Sequence, residues 1–527
     1  MKPAVERVEV HDTTLRDGTQ REGISLSVDD KLRIAARLDA LGVQVIEAGF
    51  PGSNPKDAEV FRRAKDLSFR AAIAAFGATR RADVHVEDDE GLRALVDAET
   101  PVCVLFGKSS PRQVELVLRT SLDENLRMIE ESVAFLRAAG RRVIYDAEHY
   151  FDAYRADSSY ALETLRAAVR GGADTLVLCD TNGGTMPWDV EGAVIAAAGL
   201  GATLGIHTHN DAGMAVANTL VAVRAGARHV QGTINGYGER CGNADLVAVI
   251  AGLELKLEHH ALGADRVAEL AEVSRFVAEI ANLANDPHQP YVGRSAFAHK
   301  GGTHVAAVRL DGAAYQHIDP AFVGNETRVV ISELSGRSNV RSRAEELGLP
   351  LQTSADERDV VREIKEREAN GASFEAADGS VALMLQRRAA GYRAPFRVHA
   401  FQVLASMREG FSAAEATIKL EVDGATVHTA AEGSGPVAAL DAALRKAIAT
   451  AYPAARAIHL VDYKVRILDG RDGTAAVTRV LVDSTDGERT WSTMGAAPSI
   501  LDASLGALID SYEIGLVMMN DATREVA

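Results

Sequence analysis

Short runs rich in apolar, β-forming residues alternate with longer helical runs over the first half of the chain. The β-rich runs start at Val8, Val43, Phe69, Pro101, Arg142, Thr175, Thr203 and His229, and each reads as a β-strand. Segments such as VDDKLRIAARLDALG and LDENLRMIEESVAFLRAAG place apolar residues at i, i+3 and i+4, and both stop at glycine, so they read as helices. Eight strand–helix units in about 250 residues are the size and count of a (β/α)8 TIM barrel. A doubly wound sheet is the alternative. The barrel is favoured by the count and by the polar clusters that follow many strands: RDG at 16–18, EAGF at 47–50, DAEH at 146–149, DTNGG at 180–184, HTHND at 207–211 and GERCGN at 238–243. In a barrel these all converge on the C-terminal face, where active sites sit.

Past residue 260 the pattern changes. Residues 261–395 read as a helical linker domain with a polar loop, DPHQPYVGRSAFAHKGGTHVAAV. From 396 to 527 the chain nearly repeats itself: IKLEVDGATVHTAAEGSGPVAALDAALRKAI is followed by VLVDSTDGERTWSTMGAAPSILDASLGALI. Each copy is a hairpin, a Gly/Pro loop and a helix, so a C-terminal α+β domain with a duplicated ββα unit is expected, either as a dimerisation module or as a small-ligand sensor. Residues 1–260 are left as the catalytic barrel.

A chain of 527 residues exceeds one compact core, in keeping with this division. A net charge of −17 disfavours nucleic acid or an anionic membrane as partner, since both need a basic surface. Cys103, Cys179 and Cys241 are widely spaced, match no zinc cage and suit the cytoplasm. The longest apolar run, from Gly192 to Ile206, is too short and too glycine-rich to span a bilayer.

The chemistry concentrates in two places. His207 and His209 are two residues apart on a predicted strand, and such positions point the same way. Asp17 ends the first strand beside Arg16. An Asp-His-His set drawn from separate strand ends suits a divalent metal such as Mg, Mn or Zn, with Asn243 as a further ligand. Asn243 equally suits the N-cap of the helix that follows it, and Asp17 a turn before Gly18.

DTTLRDGTQREG, IEAGFPGSNPKD, HTHNDAGMAVANTLVAVRAGA and QGTINGYGERCGNADL together resemble the isopropylmalate, homocitrate and citramalate synthase family, and EGSGPVAALDAAL is similar to its C-terminal Gly-Pro signature. DAEHYFDAY and SAFAHKGGTHVAAV resemble most the long-form (R)-citramalate synthases. The resemblance covers essentially the whole chain. It implies Claisen-type condensation of acetyl-CoA with a 2-oxo acid, pyruvate for that subgroup, at a divalent metal held by Asp17, His207, His209 and Asn243. It implies that Arg16 offsets charge on the ketone oxygen, and that Glu148, His304 and Tyr315 serve proton transfer and activation. The linker histidine implies a site shared between subunits of a homodimer. If citramalate is the product, isoleucine is the expected effector. Thr181 is expected either to donate to the substrate carboxylate or to cap the helix after Pro187. Glu47 is expected to support the site or to touch substrate. Glu239 is expected to pair with Arg240. The alternatives are a sister synthase using 2-oxoisovalerate or 2-oxoglutarate, a metal-dependent lyase, and a regulatory protein on a decayed barrel.

Overall fold

The computed structural model describes residues 6–349, 351, 353–408, 411–468 and 476–525. Eight parallel strands close into a barrel: β1 (Glu9–Asp12), β2 (Val45–Gly49), β3 (Ala72–Ala78), β4 (Val102–Lys108), β5 (Arg142–Glu148), β6 (Thr175–Asp180), β7 (Thr203–Thr208) and β8 (His229–Gly232). β1 pairs with both β2 and β8, which closes the ring. All eight expected strands are present, and the doubly wound alternative is excluded.

Local chemistry explains why the helices sit between them. Ser27 and Asp30 form a reciprocal capping box at the start of Val28–Leu41, and Gly42 ends that helix in the left-handed region at φ +97°. Ser121 caps Leu122–Ala138 by accepting from the Glu124 amide at 3.1 Å.

The barrel interior is divided. Val45, Ala74, Val102, Val104, Ile144, Val177 and Cys179, from β2 to β6, form an apolar cluster. The inward positions of β1, β7 and β8 instead carry Glu9, His11, His207, His229 and Gln231, joined by Glu47 of β2. Buried polar groups of this kind persist only when they satisfy one another.

Asp12 is a buried group with a consequence for pH. Its carboxylate accepts from the Thr14 amide and hydroxyl at 2.9 and 2.8 Å, yet burial pushes its pKa up to about 7. The folded chain therefore binds this proton more tightly than the unfolded chain, whose value lies near ~3.9. The stabilisation is complete below that lower value and is lost as pH rises toward 7. Asp12→Asn should flatten the stability profile there, removing at most ~4 kcal/mol of variation. Urea unfolding at pH 5 and pH 8 checks this; equal losses in both proteins would contradict it.

Two compact units partition the chain. One runs up to Phe297 and includes Ile318–Glu326; the other holds Ala298–His317 and everything from Thr327. In the second unit, Phe396–Arg408, Phe411–Val422 and Ala425–Gly433 form an antiparallel sheet followed by the helix Pro436–Ile448. His459–Ile467, Thr478–Thr485 and Thr490–Ala497 form a matching sheet followed by Ile500–Glu525. The duplicated hairpin and helix is thus present, and each copy carries one further strand on its N-terminal side. Among the described residues no helix is long and apolar enough to cross a membrane.

Candidate active site

The C-terminal ends of the barrel strands surround a cavity of about 530 Å³ lined by Arg16, Asp17, Asp146, Glu148, Thr181, His207 and His209, among others. His207 comes from the end of β7, and His209 follows one residue past it. Their Nε2 atoms lie 3.2 and 3.8 Å from the same oxygen of Asp17, and the three residues form a cluster of buried ligand atoms close enough to hold one ion.

Electrostatics support that reading. Burial alone would raise the Asp17 pKa, but Arg16 and then His207 hold it well below the usual carboxylate range. Burial alone would lower the His207 pKa, and the Asp17 carboxylate outweighs it and raises it. A bound cation would compete with a proton here, as ligand histidines must be neutral. His209 is pushed down to about 4, by burial and then by His207, and is already neutral. The His207 Nδ1 bonds to the Gln231 amide oxygen at 2.9 Å, while the Gln231 amide donates to Asp146 at 3.0 Å. This aims Nε2 at Asp17, the support that ligand imidazoles require.

Asn243 is bridged to His209 through the backbone. Its Nδ2 donates to the Tyr237 carbonyl at 3.1 Å, but its buried Oδ1 has no hydrogen-bond partner. An orphaned buried oxygen is what a fourth ligand would show before a cation satisfies it. The helix Leu246–Leu255 is capped by Asp245, so the capping alternative for Asn243 fails.

Arg16 is fixed on three sides. Its Nε donates to Glu47 at 2.5 Å, its Nη1 lies 3.3 Å from Asp17, and its guanidinium stacks 3.7 Å from the Phe76 ring centroid. Glu47 is fully buried and reaches the cavity only through Arg16, so it supports the site from behind. Glu148, at the end of β5, pairs with Lys108, its register partner at the end of β4. Glu239 pairs with Arg240 at 3.3 Å, as expected, but Arg240 holds Asp211 more closely, at 2.8 and 3.0 Å.

Thr181 does not cap the helix Pro187–Ala197, whose N-cap is Met186. Its hydroxyl oxygen accepts from the His149 amide at 2.8 Å, which leaves its proton to be donated into the cavity. Thr181→Val should raise the KM for the 2-oxo acid about tenfold, the cost of one hydrogen bond to a charged group. An unchanged KM in steady-state assays would remove Thr181 from substrate binding.

The cavity wall against Arg16 is aromatic. Phe76 stacks on Phe106 with centroids 5.1 Å apart, and Phe50 meets Phe76 edge-on at 5.8 Å. Sequence reasoning set Phe50 and Asp146 in strand-end clusters without giving either a role, and it missed Phe76, Phe106, Lys108 and Gln231. His304 and Tyr315 belong to the second unit, where both are exposed and their rings stand 4.3 Å apart.

A closed parallel barrel with a carboxylate, two imidazoles and an arginine at one mouth defines the class of barrel proteins built for cation-assisted carbonyl chemistry. Residues 7–277 match the HMGL-like family, residues 291–372 the homocitrate synthase post-HMGL domain-like family and residues 375–516 the LeuA allosteric (dimerisation) domain. The chain is 50% identical to an (R)-citramalate synthase of Synechocystis sp., over 97% of this chain and 96% of that relative. It is 49% identical to one of Geobacter sulfurreducens, over 97% of both. A probable 2-isopropylmalate synthase of Methanopyrus kandleri is 32% identical, over 96% of this chain and 97% of that relative. The chain belongs to the HMGL-like family and, within it, to the full-length group of (R)-citramalate synthases.

Proposed function

We propose that the protein joins the methyl carbon of acetyl-CoA to the ketone carbon of pyruvate and hydrolyses the thioester, releasing (R)-citramalate and CoA. The observation that carries this reading beyond the family is the composition of the cavity. One wall is Phe50, Phe76 and Phe106, and the cations against it are already paired: Arg16, over Phe76, with Glu47 and Asp17, and Lys108, near Phe106, with Glu148. A small uncharged tail such as a methyl suits this wall. A second carboxylate, as in 2-oxoglutarate, would have to break one of these pairs; Arg240 is likewise engaged by Asp211 and Glu239.

The chain's own groups divide the work. Arg16 faces the developing oxyanion of the ketone, and Thr181 donates to the substrate carboxylate. Glu148 takes a proton from the acetyl methyl, the carbon–carbon bond forms at the ketone carbon as its C=O π pair moves to oxygen, and that oxygen takes up a proton and stays as the product's tertiary hydroxyl. Water then attacks the thioester carbonyl and CoA departs as the thiol. A divalent cation held by Asp17, His207, His209 and Asn243 would polarise the ketone and orient the oxo acid.

His304 and Tyr315 assist ketone activation or hydrolysis, supplied by the second subunit of a homodimer. The match to a dimerisation domain and the exposure of both side chains support this. Mixing inactive His304→Ala subunits with inactive Asp17→Ala subunits should restore about a quarter of wild-type activity, as statistical exchange makes half of the dimers mixed and leaves each of those one intact site. No recovery, with mixed dimers shown to form, would place the complete site within one chain. The three cysteines, all unpaired, suit a cytoplasmic protein. Isoleucine is the proposed effector, its carboxylate held by amides at the helix starts near Gly435 and Ala497.

Chiral chromatography of the product made from acetyl-CoA and pyruvate tests the reaction. (R)-citramalate is expected, and its absence from a metal-loaded preparation would refute the assignment.

A further inference from the structure

A chain of contacts runs from Arg16 down the inside of the barrel. Glu47 accepts from Arg16 with Oε1 and turns Oε2 toward His11 Nε2, 3.5 Å away. The His11 Nδ1 lies 3.3 Å from His229 Nε2, and the His229 Nδ1 lies 2.7 Å from Glu9. Glu9 receives both Nη atoms of Arg142, at 2.7 and 2.6 Å. His11, His229 and Glu47 are fully buried. The space for the His229 ring exists because β7 carries Gly205, where a Cβ would come within 2.9 Å of that ring.

Three gaps along this chain each need a hydrogen, and two neutral imidazoles supply only two. Glu9, gripped at both oxygens by Arg142, is an acceptor, so His229 Nδ1 carries a hydrogen. His229, pushed down to about 4 by burial, is neutral, so its Nε2 is the acceptor and His11 Nδ1 carries the next hydrogen. The two atoms left over, His11 Nε2 and Glu47 Oε2, face each other, and both are buried without a hydrogen bond. Two opposed buried lone pairs are costly; one proton between them removes the conflict.

We propose that His11 is a positioning residue that holds this extra proton as an imidazolium, neutralising Glu47 from inside the barrel so that Arg16 keeps its positive charge for the substrate. Without it, Arg16 would face two carboxylates, Glu47 and Asp17, and would have little charge left for a ketone oxygen. The neighbours agree. His229 is pushed down to about 4, by burial first, and so stays neutral. Burial raises Glu47, but Arg16 and His11 outweigh it and keep it ionised. The other ionisable groups that feel His11 are Asp12 on its own strand and Asp146 on β5, and both are acids.

The role given to Arg16 rests on the proposed reaction, whereas the position of the proton does not. Nitrogen-15 NMR of the metal-loaded, histidine-labelled full-length protein at pH 7.5 should show an imidazole protonated at both nitrogens that is absent from His11→Gln. His11→Leu should lower kcat about tenfold, less than loss of a direct oxyanion donor, with the KM for acetyl-CoA unchanged. His11→Gln, whose amide can still donate to Glu47, should retain more of the rate. A bare Nε2 on His11 in the wild-type spectrum would overturn the proposal even if citramalate is made. So would a His11→Leu enzyme with native melting and unaltered kcat. If His11→Leu does not fold, the spectrum and the His11→Gln rate decide.

Discussion

Replacing His207 with alanine should abolish metal binding and lower activity by about three orders of magnitude or more, with the barrel intact. Lewis-acid stabilisation accounts for several kcal/mol of such a barrier, and each 1.36 kcal/mol is about tenfold in rate. The effect should be large because the three clustered ligands Asp17, His207 and His209 leave no spare imidazole to substitute. Removing His207 also frees Gln231 from one of its two bonds, which loosens Asp146. The fold should survive, since the apolar interior cluster lies mainly on β3 to β6. Metal content by atomic emission and turnover after chelation and reloading are the measurements. Wild-type turnover from chelator-stripped His207→Ala protein would end the metal role.

The second large effect is expected from Glu148→Gln. The amide keeps the shape of the side chain but cannot take a proton, and it breaks the ion pair with Lys108. General-base losses run about 10² to 10⁴ in kcat. The informative readout is exchange of acetyl-CoA methyl protons with deuterated water in the presence of a non-condensing oxo-acid analogue. Wild type should exchange and Glu148→Gln should not, with metal content and melting unchanged. Undiminished exchange in the variant would move the base elsewhere.

Much of the barrel was legible because its signal is local. Short β-rich runs and polar strand ends locate β1 to β8, Arg16, Asp17 and the His207–His209 pair without any knowledge of which strands are neighbours. What was not legible depends on pairing across strands. Lys108 matters because register sets it beside Glu148, and Phe76 matters because β3 lies against the Phe106 strand. His11 and His229 looked like ordinary polar positions until closure of the ring placed β1 against β8. The third strand of each C-terminal unit was passed over for a different reason. His459–Ile467 is mostly exposed on both faces, so its alternation separates few buried positions from exposed ones. The capping alternatives for Thr181 and Asn243 were decided one residue at a time, by Met186 and Asp245 standing at the helix starts instead.

The aromatic wall of Phe50, Phe76 and Phe106 gives the substrate assignment its physical content. The ratio of kcat/KM for pyruvate to that for 2-oxoisovalerate and 2-oxoglutarate, measured as acetyl-CoA-dependent CoA release by the metal-loaded full-length protein, is therefore the most direct test. One or two extra methyl groups displaced from a well-formed pocket cost about 1–3 kcal/mol. Pyruvate should therefore lead 2-oxoisovalerate by at least about tenfold, with 2-oxoglutarate lower still because its second carboxylate meets an apolar wall whose neighbouring cations, Arg16 and Lys108, are already paired. Equal or faster turnover of either larger acid would contradict the assignment.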